Sequence, residues 1–205
     1  MRNTNFYLSG FILFISLLIY SCGGAKYNYH FDQGKHIDFN SGKWLLNNPK
    51  TNFTRNVELL EFAKNKFSEI IPDSLLLLLV DVRRNKVIGP EIPHNPSLKD
   101  LQRLKLLTEC DYLINIKTEI VKNDLGSFTF SRSQGRAKKI NKAITEITIY
   151  DLNKIEVLSK SSSVGKVEVI ETEDSGWDYV SSGWTLAVQS LKNLVRKYKK
   201  YKIYN

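Results

Sequence analysis

An apolar run from Phe6 to Tyr20, interrupted only by Ser9, Gly10 and Ser16, follows Arg2 at the amino terminus. It is shorter than the roughly 20 apolar residues that a transmembrane helix needs. Its length and weakly positive flank match the hydrophobic region of a secretory signal. No other stretch constrains the chain as much. It removes residues 1–21 from the folding problem, and it leads us to expect that the rest folds outside the cytoplasm.

The run ends in Ile19-Tyr20-Ser21-Cys22, an apolar residue, then Tyr, then a small residue, then Cys. This resembles the lipobox of bacterial lipoprotein signal peptides. The resemblance implies cleavage before Cys22, a diacylglyceryl group on its thiol and acylation of the new amine. Two or more acyl chains anchor stably, because each buried CH₂ contributes about 0.8 kcal/mol. The alternatives are an ordinary cleaved signal or an uncleaved short anchor, with Cys22 incidental. A lipid-anchored place in the cell envelope follows from the lipobox reading, with the periplasmic face of the outer membrane as the expected site.

Compartment decides how the charge is read. The chain carries 30 Lys and Arg against 21 Asp and Glu, a formal charge of +9. In the cytosol such a balance points to nucleic acid. In an exported protein it points to anionic lipid, acidic glycan or an acidic protein face, unless the lysines are simply a solvated surface. With Cys22 acylated, Cys110 has no partner for a disulfide within the chain, and its apolar surroundings predict a buried, inert thiol. His30, His36 and His94 have no Cys or carboxylate at ligand spacing, so no zinc site or other cofactor is expected.

Residues 23–42, rich in Gly, Asn, Tyr and His, read as a flexible tether, about 25 Å from end to end on average. The alternating Tyr27, Tyr29 and Phe31 leave a short added strand as the alternative. A single domain is expected from residue 43 to the end. Lys43 to Asn47 predicts a strand stopped at Asn48-Pro49. Val57, Leu60, Ala63, Phe67 and Ile71 step by three and four, which predicts a helix over 54–71. The unbroken apolar run from Ser74 to Val82 predicts a buried strand, with a buried helix competing. Ser97 caps a helix over 98–107, with Asp100 completing a capping box.

Residues 110–121 alternate. Tyr112, Ile114 and Ile116 face one way, and Leu113, Asn115, Lys117 and Glu119 the other. Ala143–Tyr150 and Ile155–Ser161 flank an Asp-Leu-Asn-Lys turn and predict a hairpin, which Val164–Ile170 extends. Ser175 is the expected cap of a last helix carrying Trp177, Val180, Trp184, Val188, Leu191, Val195 and Tyr198 on one face. Lys192, Arg196, Lys197, Lys199, Lys200 and Lys202 make its end a basic tail.

This order predicts an α/β fold, a two-layer sandwich of a mixed, partly antiparallel sheet with about three helices. Two segments carry a resemblance, Thr108-Glu109-Cys110-Asp111-Tyr112-Leu113-Ile114 and Ile147-Thr148-Ile149-Tyr150-Asp151-Leu152-Asn153-Lys154. Both are similar to segments of bacterial envelope lipoproteins with a domain like the amino-terminal domain of TolB. The curli secretion lipoprotein and the penicillin-binding-protein activators belong to that group. The resemblance implies the same sandwich. Its members build secretion pores, activate synthases or have no assigned role.

Two surfaces are candidates for binding. One is the basic stretch with Arg132, Arg136, Lys138, Lys139 and Lys142. The other is the entry to the last helix with Trp177 and Tyr179, residue types favoured as interface anchors. Plain core packing is the competing reading for the tryptophans. No G-x-S-x-G or H-E-x-x-H occurs, and the acids Glu171, Glu173 and Asp174 suit a helix amino terminus. The expectation is therefore a non-catalytic accessory or assembly lipoprotein that binds an envelope protein or its own copies. The alternatives are a module for anionic lipid or cell-wall glycan, and an envelope hydrolase.

Overall fold

The computed structural model describes residues 24–85, 92–124, 128–130, 138–170 and 177–203. Nine strands and four helices lie within them. They are β1 (Lys26–Gln33), β2 (Trp44–Leu46), β3 (Lys50–Thr51), α1 (Asn56–Phe67), β4 (Leu76–Leu78), α2 (Leu79–Asn85), α3 (Leu98–Thr108), β5 (Tyr112–Asn123), β6 (Phe128–Phe130), β7 (Lys138–Asp151), β8 (Glu156–Ile170), β9 (Trp177–Tyr179) and α4 (Gly183–Tyr201). Seven strands form one mixed sheet in the order β1-β8-β7-β5-β2-β4, with β3 also on β5. β2 runs parallel to β4 and β5, β3 runs parallel to β5, and the other pairings are antiparallel.

One face of the sheet is covered along its length. Leu59, Ala63 and Phe67 of α1, each one helical turn apart, pack on Trp44, Leu46, Ile114 and Ile116. Leu191, Leu194, Val195 and Tyr198 of α4 join the same core, against Ile147 and Ile149. Small residues let α4 approach. Ala143, Ser161, Ser163 and Gly165 lie beneath it, and Ala187 and Ser190 sit on its inner side. Among the described residues the other face is covered only at one end. There Leu79 of α2 and Leu101 and Leu104 of α3 close over Leu45, Leu113, Tyr150 and Leu152. Asn47 and Asn115 pin residues 92–94 to that face. Asn47 Nδ2 donates to Asn115 Oδ1 (3.0 Å) and to the Ile92 carbonyl, and Asn115 Nδ2 donates to the His94 carbonyl.

The α/β sandwich read from the sequence is the fold, and the alternation of β5 and the β7–β8 hairpin stand as expected. Four details differ. The stretch expected as a tether contains β1, an edge strand in register with β8 from Lys26↔Lys166 to Gln33↔Lys160. Tyr27 and Phe31 pack inward and earn it that place. The run 74–82 splits, with a three-residue strand passing into α2 at Leu79. Val57 is 75 % exposed and takes no part in the face of α1.

The last helix begins at Gly183, capped by Ser182, whose Oγ accepts from the Thr185 amide. Trp177 and Tyr179 are therefore not on a helix. They lie on β9, which pairs with β6 in a separate two-stranded ribbon.

Candidate docking surface

The polar groups buried at the strand ends serve the fold first. Asp111 closes the junction of β2, α3 and the β7–β8 turn. Its carboxylate accepts from Lys105 Nζ (2.8 Å), the Lys43 amide (2.8 Å) and Asn153 Nδ2 (3.1 Å). Partial burial pushes its pKa up, but these three donors outweigh that and hold it at about 2. A carboxylate this firmly ionised is a poor general acid or base. Asp151 shapes the turn itself, accepting from the amides of Asn153 and Lys154. The Tyr150-Asp151 and Asp111-Tyr112 pairs are thus two halves of one clasp, since the Leu152 amide also donates to the Asp111 carbonyl.

Under α4, the Tyr198 hydroxyl lies 2.8 Å from Ser159 Oγ and 2.9 Å from Ser161 Oγ. The Cys110 thiol is buried, and burial pushes its pKa up, as an inert thiol requires. Among the described residues no three His, Cys, Asp or Glu side chains come together as a metal set. Nor is any helix there long and apolar enough to cross a membrane.

The open surface is basic in two places. α4 carries Lys192, Arg196, Lys197, Lys199 and Lys200 and no acid. Lys197 Nζ lies over the Tyr29 ring, 5.1 Å from its centre, and Lys199 reaches Glu69 at 3.8 Å. Lys66, hydrogen-bonded to Glu69, draws that carboxyl below its usual range, helped by Lys199 and Lys192. A shallow depression of about 440 Å³, lined by Lys64, Asn65, Ser68, Asp73 and Leu76, flanks β4 at the other edge of the sheet.

The second basic place is the end of the sheet where β1 and β7 begin and β5 and β8 finish. Asn141 Nδ2 donates to the Ser181 carbonyl (3.0 Å), and Asn123 Oδ1 accepts from the Gly183 amide (3.0 Å). These bonds bring the start of β7 beside the segment that follows β9. Of the predicted binding residues, Lys138, Lys139 and Lys142 lie on β7 rather than in a loop, and Trp177 and Tyr179 on β9, at the same end of the molecule. Arg132, Arg136 and Cys22 lie outside the described residues, as do Glu171, Glu173 and Asp174. Sequence reasoning missed Lys26, Lys122 and Lys166 at this end. Only strand register reveals them.

No family model matches the chain, and no curated protein matches it in sequence. Solved structures do match. The PelC dodecamer from Paraburkholderia phytofirmans is 11 % identical, with 84 % of this chain and 97 % of that one covered, at a TM-score of 0.47. Lipoprotein GNA1162 from Neisseria meningitidis is 9 % identical, covering 78 % of this chain and 99 % of its own, at 0.45. At these scores and identities neither match carries an argument about what this chain does.

Proposed function

We propose that this chain is a bacterial envelope lipoprotein, anchored through Cys22, whose α/β body is a non-catalytic accessory or assembly protein. In this reading it binds an envelope protein or further copies of itself. The observation that carries it is the sequence Ile19-Tyr20-Ser21-Cys22 set directly before a folded body. Only Gly23, Gly24 and Ala25 separate Cys22 from β1. The ionised polar clasp at Asp111 and the hydroxyl cluster at Tyr198 support the absence of catalysis, because each is committed to holding elements together. The paired segments 108–114 and 147–154 support kinship with the envelope lipoproteins that have a TolB-like domain, since they form one clasp in this fold.

The test has two parts. Metabolic labelling with a radioactive fatty acid should mark the wild-type chain and leave Cys22→Ala unlabelled. Equal labelling of both would refute the anchor. A photo-crosslinking amino acid at Tyr179 in cells should then yield one dominant envelope protein or a ladder of self-adducts. A variant that yields neither there nor at Trp177 removes the assembly role.

A further inference from the structure

Strand register places four lysines in one line across the sheet. Lys26 of β1 is the direct partner of Lys166 in β8. Lys166 is the partner of Lys142 in β7, and Lys142 of Lys122 in β5. Direct partners point to the same face, and for these four it is the face left open by the helices. With strands about 4.8 Å apart, the line is about 14 Å long.

Like charges set directly opposite each other destabilise a sheet. Lys122 is offset by Asp124 at 2.9 Å, and Lys166 by Glu168. Lys26 and Lys142 make no ion pair among the described residues. Glu119, the nearest acid inward along this face on β5, pairs with Lys117. Lysine on an exposed edge guards against unwanted strand pairing, which explains Lys26. It does not explain Lys142, two strands further in.

The anchor gives the line a reason. Lys26 follows Cys22 by four residues, so the chain between them reaches at most about 14 Å. This end of the sheet is therefore held at the height of the lipid headgroups whenever Cys22 is acylated. We propose that the line Lys26–Lys166–Lys142–Lys122 rests on the anionic phospholipid headgroups of the bilayer that holds those acyl chains. The inference builds on the anchoring proposed above and adds to it an orientation. The amino end of β1 faces the membrane, and the turn at 151–154 with the Asp111 clasp points away from it.

The full-length acylated chain tests this. It is reconstituted into vesicles of phosphatidylcholine alone, or of phosphatidylcholine with phosphatidylglycerol, and its lysines are acetylated and quantified by mass spectrometry. Lys64 on α1 and Lys99 on α3, both exposed and away from this end, are internal standards. The four lysines should react severalfold more slowly than the standards in the anionic vesicles alone, and high salt should abolish the difference by screening. Equal relative rates in the two vesicle types would overturn the proposal. So would protection seen in isolated cell envelopes but not in anionic vesicles, which would assign the line to an acidic protein or glycan. Flotation with the neutral vesicles reports separately on the anchor. A chain that fails to float there disproves acylation, while its acetylation in anionic vesicles still decides the role of the lysines.

Discussion

Asp111 binds Lys105 across 2.8 Å, and the pair joins the end of α3 to the start of β5. The same carboxylate holds the Lys43 amide and Asn153, so one side chain fixes three chain crossings. Its value to the fold depends on pH. The free carboxyl titrates near 3.9, and in the folded protein it titrates at about 2. The stabilisation is complete above the unfolded value and vanishes as pH falls through the folded one. Allowing for screening at a partly exposed site, it contributes about 1 to 2 kcal/mol. Asp111→Asn should lose about that much at neutral pH. It should also flatten the stability profile between roughly pH 4 and 2, read by urea titration at each pH. A profile as steep as that of wild type would show that Asp111 is not the group responsible.

Tyr198→Phe keeps the ring and removes the hydroxyl that lies between Ser159 and Ser161. The buried Ser161 hydroxyl then loses its partner and Ser159 keeps only the Gln33 carbonyl, at a cost of about 1 to 3 kcal/mol. Denaturant unfolding should show a lower midpoint with an unchanged slope. No shift in the midpoint would mean that the serines find other partners.

Trp44 is fully buried, stacked on Tyr112 at 4.2 Å between ring centres and tilted against Phe39 at 4.9 Å. Trp44→Ala should destabilise by about 3 to 5 kcal/mol. Near-ultraviolet circular dichroism should lose the signal of this stack, and a loss under about 1 kcal/mol would contradict the packing.

Gly34 turns the chain out of β1 with φ +53°, and a Cβ there would stand 1.9 Å from the Leu158 carbonyl oxygen. Gly34→Ala must therefore push the end of β1 off β8. The left-handed backbone alone costs about 1 to 2 kcal/mol. Hydrogen exchange should quicken along 28–33 while the amides of β5 and β7 keep their protection. Unchanged exchange in β1 would argue against this path for the chain.

The Cys110 thiol should resist Ellman's reagent in the native protein and react at once in denaturant, because burial both raises its pKa and shields it. Rapid native reaction would place it at the surface.

Much of this was readable in the residues. The alternation of Ile114 and Ile116 against Asn115 and Lys117 marks β5, since one face is apolar and the other open. Ser97 and Asp100 mark the start of α3 because their side chains and amides can bond reciprocally, and they do. β1 was legible only as the alternative to a tether, carried by Tyr27, Tyr29 and Phe31, and for a physical reason. An edge strand buries little, so Tyr, Asn and His serve there as well as Val or Ile, and the composition looks like a tether. β9 was hidden by coincidence of spacing. Trp177, Val180 and Trp184 fit a helical face, yet Ser182 caps the helix after the first two, and only Trp184 lies on it. The run of leucines at 75–79 suits strand and helix alike, and the chain uses both. The lysine line could not be read at all, because it exists only once β1, β8, β7 and β5 are in register.

The placing of β1 also orders events in time. Its Lys26 waits for Lys166, 140 residues further along the chain. At about 5 to 20 residues synthesised per second, the partner strand follows by on the order of ten seconds. Through that interval residues 26–33 lack the strand with which they pair. On the anchoring proposed above, β1 next to Cys22 joins the sheet only after β8 has been made.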